Sequence, residues 1–131
     1  MDDTDAQIIR MLKNNGRIHL VEVAKKVGLT EGAVRFRVAR LARQGVIKRF
    51  TIETKDDVKA IVMVATSRSM STTKIANAIR KIGIDRTYEI SGNFDIICFV
   101  ESDSIQRVNE EVEKIRAVTG VIDTSTSLVL K

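Results

Sequence analysis

Between Arg35 and Arg49 the chain carries six cationic side chains, Arg35, Arg37, Arg40, Arg43, Lys48 and Arg49, and no Asp or Glu. Guanidinium and ammonium groups at this density neutralise phosphates, and Arg can also hold guanine bidentately. Solvated helices ordinarily mix signs, because opposite charges at i,i+4 stabilise them. An unrelieved run of one sign therefore points to a polyanionic partner. Three residues ahead of the run fit the same purpose. Thr30 can cap a helix, Glu31 can accept from a cytosine amino group, and Gly32 has no side chain to keep a backbone away from a duplex. Arg35, nearest the helix start, is the candidate for reading guanine. Arg40, Arg43, Lys48 and Arg49 are candidates for clamping the phosphate backbone.

The elements that must position these residues follow from hydrophobic spacing. Ile8, Ile9, Met11 and Leu12 recur at helical spacing behind Asp2, Asp3 and Asp5, whose charges suit a helix N-terminus. Asn14-Asn15-Gly16 reads as the stop, with glycine closing the helix in a left-handed conformation. A second helix fits His19 to Val27, with Gly28 as its stop and His19 as a helix-start residue. Leu29 and Thr30 leave only a short turn before Val34, Val38 and Leu41, spaced by four and three, define a third helix. Gly45 ends it, and VIKRFTI reads as an extended exit. Two helices joined by a short Gly-bearing turn, after a first helix, form a helix-turn-helix pattern. Burying Val34, Val38 and Leu41 leaves Arg35, Arg40 and Arg43 on the face that can enter a major groove.

The remainder has a different grammar. VKAIVMVATS (58–67) is an aliphatic strand, and Ile75, Ile79 and Ile82 make the buried stripe of a helix capped at Ser71 or Thr72. RTYEIS and NFDIICFVES are two strands about a Ser91-Gly92 turn. Ile105, Val108, Val112 and Ile115 define another helix, and VIDTSTSLVLK alternates at period two. The order β-α-β-β-α-β is ferredoxin-like. The fold class is thus α+β: a three-helix helix-turn-helix domain at 1–50, a polar linker at 51–57, and a ferredoxin-like domain at 58–131. Residues 1–50 carry a net charge of +6 and residues 51–131 a net of −1, so the anionic partner belongs to the first domain.

Composition excludes several classes. No apolar run approaches the ~20 residues of a membrane span, and the acidic start MDDTDAQ is not a secretory signal. A single cysteine, Cys98, rules out an internal disulfide. Its mid-strand setting makes it a small core hydrophobe. A cytoplasmic setting follows as the expectation. No nucleophile–base pair, metal-spaced cluster or phosphate loop occurs, so no enzyme, cofactor or metal site is expected.

These pieces together resemble the leucine-responsive regulator/asparagine regulator (Lrp/AsnC) family of prokaryotic transcription factors. The N-terminal motif stands as MDDTDAQIIRMLKNNGR and the helix-turn-helix as VAKKVGLTEGAVRFRVARLARQGVIKRF. The C-terminal module stands as SGNFDIICFV and GVIDTSTSLVL. The resemblance covers nearly the whole chain and implies a DNA-binding transcriptional regulator whose second domain is RAM/ACT-like. Arg37 matches a near-fixed arginine of the family, which gives it a bracing role beside any DNA contact. The resemblance further implies a small amino-acid effector held between subunits. Gly92, Asn93 and Asp95 of the hairpin, with Thr124 and Thr126, are the candidates to hold it: turn N–H groups and hydroxyls for a carboxylate, Asp95 for an ammonium. Two departures stand out. The connector is pared to TIETKDDV, and Phe36 stands where the family often has a basic residue. Its ring either completes the core or touches a thymine methyl; core packing is the favoured expectation.

The partners expected are double-stranded DNA, an amino-acid ligand, and further copies of the chain. A homodimer is the minimum, extended to a tetramer or octamer of dimers, because one recognition helix covers few base pairs. The second copy would also cover the sheet face that two helices leave bare. The alternative is an RNA-binding ferredoxin-like protein. Its stacking platform would need exposed aromatics beside positive charge, and the second half is net negative.

Overall fold

The computed structural model describes residues 1–55 and 57–131. The chain folds as two compact units, Met1–Glu53 and Thr54–Lys131. The division falls inside the stretch read as a linker, of which Asp56 lies outside the described residues.

The first unit has three helices, α1 (Asp3–Asn14), α2 (Leu20–Val27) and α3 (Glu31–Arg43). A reciprocal cap starts α1: the Asp5 N–H donates to the Asp2 carboxylate at 2.8 Å and the Asp2 N–H to Asp5 at 3.1 Å. The end of α1 differs from expectation. Asn15 is extended and donates to the Met11 carbonyl, and Gly16 is not left-handed. Extended Asn15 already satisfies an orphan carbonyl, so no left-handed residue is required. Ile8, Val23, Ala24 and Val34 form the core, with Leu12, Leu20, Val27, Leu29 and Val38 packed against them. Each fully buried aliphatic side chain contributes about 1.5–3 kcal/mol.

The second unit runs β1 (Val58–Thr66), α4 (Thr72–Lys81), β2 (Thr87–Glu89), β3 (Ile96–Ser102), α5 (Ile105–Arg116) and β4 (Val121–Leu128). Its antiparallel sheet has the order β2-β3-β1-β4. Val62 pairs with Cys98 on one side and Thr126 on the other; Val64 pairs likewise with Ile96 and Thr124. Alternation then sends Ala60, Val62, Val64, Ile96, Cys98 and Val100 to one face. There they share a core with Ile75, Ile79, Val108, Val112 and Ile115 from α4 and α5.

Three expectations about this unit need correction. Ile82 and Ile105, read as members of buried stripes, are 38% and 51% exposed. Ile82 is the C-cap of α4 and Ile105 the first residue of α5, so each lies where its helix leaves the core. The strands flanking Ser91-Gly92 are also shorter than RTYEIS and NFDIICFVES suggest. Asp95 turns toward β1, donating its N–H to the Val64 carbonyl at 2.9 Å and accepting from Ile90 at 2.9 Å. That geometry starts β3 at Ile96. Gly120 is demanded by packing as well as by its φ of +96°, since a Cβ there would meet the Ile75 Cδ1 at 2.6 Å.

The opposite face of the sheet carries no helix of this unit among the described residues. Ser125, Met63, Ile97 and Tyr88 form one row across it, and Ser127, Ile61 and Phe99 the next. Tyr88 and Phe99 meet edge to face at 6.2 Å, and the Arg86 guanidinium lies 4.9 Å from the Phe99 ring centroid. No helix among the described residues is long and apolar enough to cross a membrane.

Candidate nucleic-acid interface

Helix α3 begins where Thr30 accepts the Ala33 N–H at 3.2 Å, and Gly28, at φ +70°, turns the chain between α2 and α3. Val34 and Leu41 are fully buried, with Val38 packed against the core. At ~100° per residue the burial of these three fixes the rest. Glu31, Gly32, Arg35, Phe36, Ala39, Ala42 and Arg43 are exposed. Gly32 and Ala39 lie along the middle of that face, with Glu31 and Arg35 on one side and Phe36 and Arg43 on the other.

The six cations of the run divide into two groups. Arg37 donates to Asp2 at 2.7 Å and to Asp5 at 2.9 Å, and Arg40 donates to Asp5 at 2.7 Å. Asp5 is fully buried, so these bonds tie the start of α1 to the middle of α3. The Arg37 hydrogen bond, then the Asp5 backbone N–H, bring Asp2 from an ordinary 3.8 down to about 2. Burial pushes Asp5 upward, but hydrogen bonds from Arg37 and the Asp2 backbone, with the Arg40 charge, leave it lowered. Arg40, a candidate phosphate clamp, also braces the unit. Its charge is matched by Asp5, and its Nε is buried without a hydrogen-bond partner.

Arg35, Arg43, Lys48 and Arg49 remain exposed. Arg35 is held by Glu31 one turn before it, at 2.6 Å. The pair is surface-exposed, worth about 0.3–0.5 kcal/mol, and yields readily to a base edge. Thr30 spends an acceptor lone pair on its cap while its hydroxyl proton stays available to a phosphate. Phe36 overturns the core expectation: it is 61% exposed. The apolar stripe at 34, 38 and 41 already fills the inner face, and residue 36 points away from it.

Gly32 earns a direct test. A Cβ at that position would have no atom within 4 Å, so nothing in the folded unit requires glycine. Gly32→Ala should stabilise the unit by about 0.4–1 kcal/mol through the unfolded state. It should also weaken duplex binding by placing a methyl between backbone and groove. Urea denaturation beside a binding titration checks both; higher stability with unchanged affinity puts Gly32 off the contact surface.

The candidate effector residues do not come together within one protomer. The hairpin of Gly92, Asn93 and Asp95 adjoins the β2–β3 edge, and Thr124 and Thr126 lie on β4 at the other edge. The width of β1 separates them, roughly 10 Å at two strand spacings. Gly92 and Asn93 are exposed. The Asp95 carboxylate is engaged, since Oδ2 accepts from the Thr66 N–H at 2.8 Å and from its hydroxyl at 3.1 Å. Thr126 is exposed, whereas Thr124 lines a recess of about 160 Å³ with Arg116, Val121, Ile122 and Asp123. Arg116 and Asp123 were not singled out in the sequence. Only the return of β4 past the end of α5 brings them together.

Two family models match the chain: an AsnC-type helix-turn-helix domain over residues 1–42 and an Lrp/AsnC ligand binding domain over residues 59–131. The chain is 37% identical over 134 residues to the HTH-type transcriptional regulator LysM of Saccharolobus solfataricus, covering 100% of this chain and 94% of that one. Among solved structures it superposes on a transcriptional regulator of Neisseria meningitidis in complex with L-methionine. That match has a TM-score of 0.71 and 22% identity, covering 100% of this chain and 90% of the other. A feast or famine regulatory protein of M. tuberculosis, also with L-methionine, gives a TM-score of 0.75 at 24% identity, over 99% and 92% of the two chains. A helix-turn-helix with an exposed basic face, followed by a βαββαβ module, is therefore matched in both halves and in order, and the chain belongs to the Lrp/AsnC family of DNA-binding transcriptional regulators.

Proposed function

We propose that α3 enters the major groove of duplex DNA through its Glu31–Arg43 face, with Arg35 reading a guanine and Arg43, Lys48 and Arg49 on phosphates. Thr30 joins the phosphate contacts, and Glu31 takes a cytosine amino group when Arg35 leaves it. The observation that carries this reading is the division of the cations. Arg37 and Arg40 are matched by Asp2 and the buried Asp5, whereas Arg35, in an exposed pair with Glu31, and Arg43 stand on the open face beside Gly32 and Ala39. The test is enrichment of binding duplexes from a random pool, followed by competition with single-stranded RNA at fixed salt. Recovery of a common motif that resists RNA supports the reading; preference for RNA sinks it.

Two copies acting together follow from the open sheet face. Ile61, Met63, Ile97 and Phe99 lie there under no helix, and a second copy is the cover whose symmetry also presents two recognition helices to a pseudo-palindrome. Light scattering should return a dimer or a multiple of dimers. A monomer with full DNA affinity would contradict this.

The second domain then senses a small amino acid. In the recess at β4, Arg116 can take its carboxylate and Asp123 its ammonium, with the Thr124 hydroxyl beside them. Gly92 and Asn93 lie in the β2–β3 turn and Asp95 just before β3, across β1 from Thr124 and Thr126, so a ligand that uses all of them is shared between protomers. Such a ligand prefers one packing of subunits, and that differential affinity is what would alter DNA binding. Calorimetry with the twenty amino acids should find a binder, and Thr124→Val should abolish its influence on gel shifts while leaving ligand-free affinity within about twofold. Asp95→Ala is the poorer probe, because it also frees Thr66. A null result with all twenty would leave the domain to assembly alone.

A further inference from the structure

Phe36 has no structural reason to stand where it does. Its side chain is on the outer face of α3 and 61% exposed. Its neighbours one turn away on that face are Gly32 and Ala39, which offer the ring almost nothing to lean on. Among the described residues, the aromatic ring pair lies elsewhere, at Tyr88 and Phe99. A large apolar group held in water this way adds little to folding and is free to contribute on binding.

Resting on the reading of α3 as the groove-entering helix, we propose that Phe36 is a specificity-determining residue that recognises the C5-methyl of a thymine. Base-pair edges in the major groove offer donors, acceptors and one apolar group, the thymine methyl. A phenyl ring can make no hydrogen bond, so the methyl is its complement. Gly32 and Ala39 add no bulk to hold the helix away from the groove floor. The adjacent Arg35 is suited to guanine. Successive Cα atoms lie 3.80 Å apart and bases along one strand about 3.4 Å apart. The thymine therefore falls within one or two base pairs of that guanine. The helix reads with two chemistries, a cationic side and an apolar side.

The experiment takes the full chain and the duplex enriched from a random pool, and replaces each thymine in turn by deoxyuridine, which lacks only the methyl. The wild-type protein should lose about three- to fivefold in affinity at one thymine per half-site, the worth of one buried methyl. Phe36→Ala should lose a similar factor on the thymine duplex and become indifferent to the deoxyuridine change there. Phe36→Leu, still apolar, should keep most of the discrimination. Circular dichroism and light scattering should be unchanged in both variants. A wild-type protein indifferent to every demethylation overturns the proposal while leaving groove binding intact. So does a methyl effect that persists in Phe36→Ala, or a change of oligomeric mass in that variant. Failure to enrich any duplex removes the groove reading itself, and the thymine contact with it.

Discussion

Asp5→Ala should lower the thermal midpoint of the first unit by more than about 10 °C while leaving the second unit's transition in place. Asp5 is fully buried and is the shared acceptor for Arg37, at 2.9 Å, and Arg40, at 2.7 Å. Removing it leaves two guanidinium groups side by side without their common countercharge, and it breaks one arm of the α1 cap. Asp2 does not take over this role, since it already accepts from Arg37. Asp5→Asn keeps the shape and one acceptor but no charge, so its loss should be smaller. Acid should reproduce the effect in the unsubstituted protein. Both carboxylates titrate below their ordinary 3.8, Asp2 at about 2. Their contribution is therefore complete above about pH 4 and is withdrawn as pH falls toward 2. Differential scanning calorimetry across that range measures it, and a first transition insensitive to both acid and Asp5→Ala would refute the brace.

Arg35→Ala should cost about 1–3 kcal/mol in binding the preferred duplex and flatten the preference at one base pair per half-site. The loss is that of a bidentate contact to guanine, and the unfavourable part of the bargain is small. Freeing Arg35 from Glu31 gives up only an exposed i,i+4 pair of about 0.3–0.5 kcal/mol. Arg43→Ala should behave differently, weakening every duplex alike and lowering the salt slope by roughly 0.9. Its side chain is exposed in the last turn of α3, the end of the helix away from Arg35. Titrations of both variants against preferred and scrambled duplexes at several salt concentrations separate the two roles. Equal losses on both duplexes for Arg35→Ala would move that residue to the phosphates.

The elements were legible in the sequence wherever periodicity and punctuation agreed. Val34, Val38 and Leu41 located the inner face of α3, and Thr30 and Gly28 its start, because capping and spacing are local. The sheet order was legible too, since the βαββαβ pattern places the first and third strands at the centre. What was missed depends on residues far apart in the chain. Arg40 reads as one more surface cation until Asp5, 35 positions away, is found beneath it. Phe36 reads as core because it is apolar and stands beside Val34 and Val38. Its phase relative to Val34 and Val38 puts it outside. Asp95 reads as a free carboxylate on a turn, and only the pairing of β1 with β3 brings Thr66 to it. Arg116 and Asp123 are seven positions apart and meet only because β4 doubles back beside α5.

The open sheet face gives the protein a spectroscopic reporter of its own. The chain has no Trp and a single Tyr, so its near-ultraviolet emission comes essentially from Tyr88. That ring is 49% exposed, stacked edge-on against Phe99 beside Arg86. Any body laid over the sheet removes water from this ring. Intrinsic fluorescence on dilution will therefore follow what covers the sheet, without a label or a substitution.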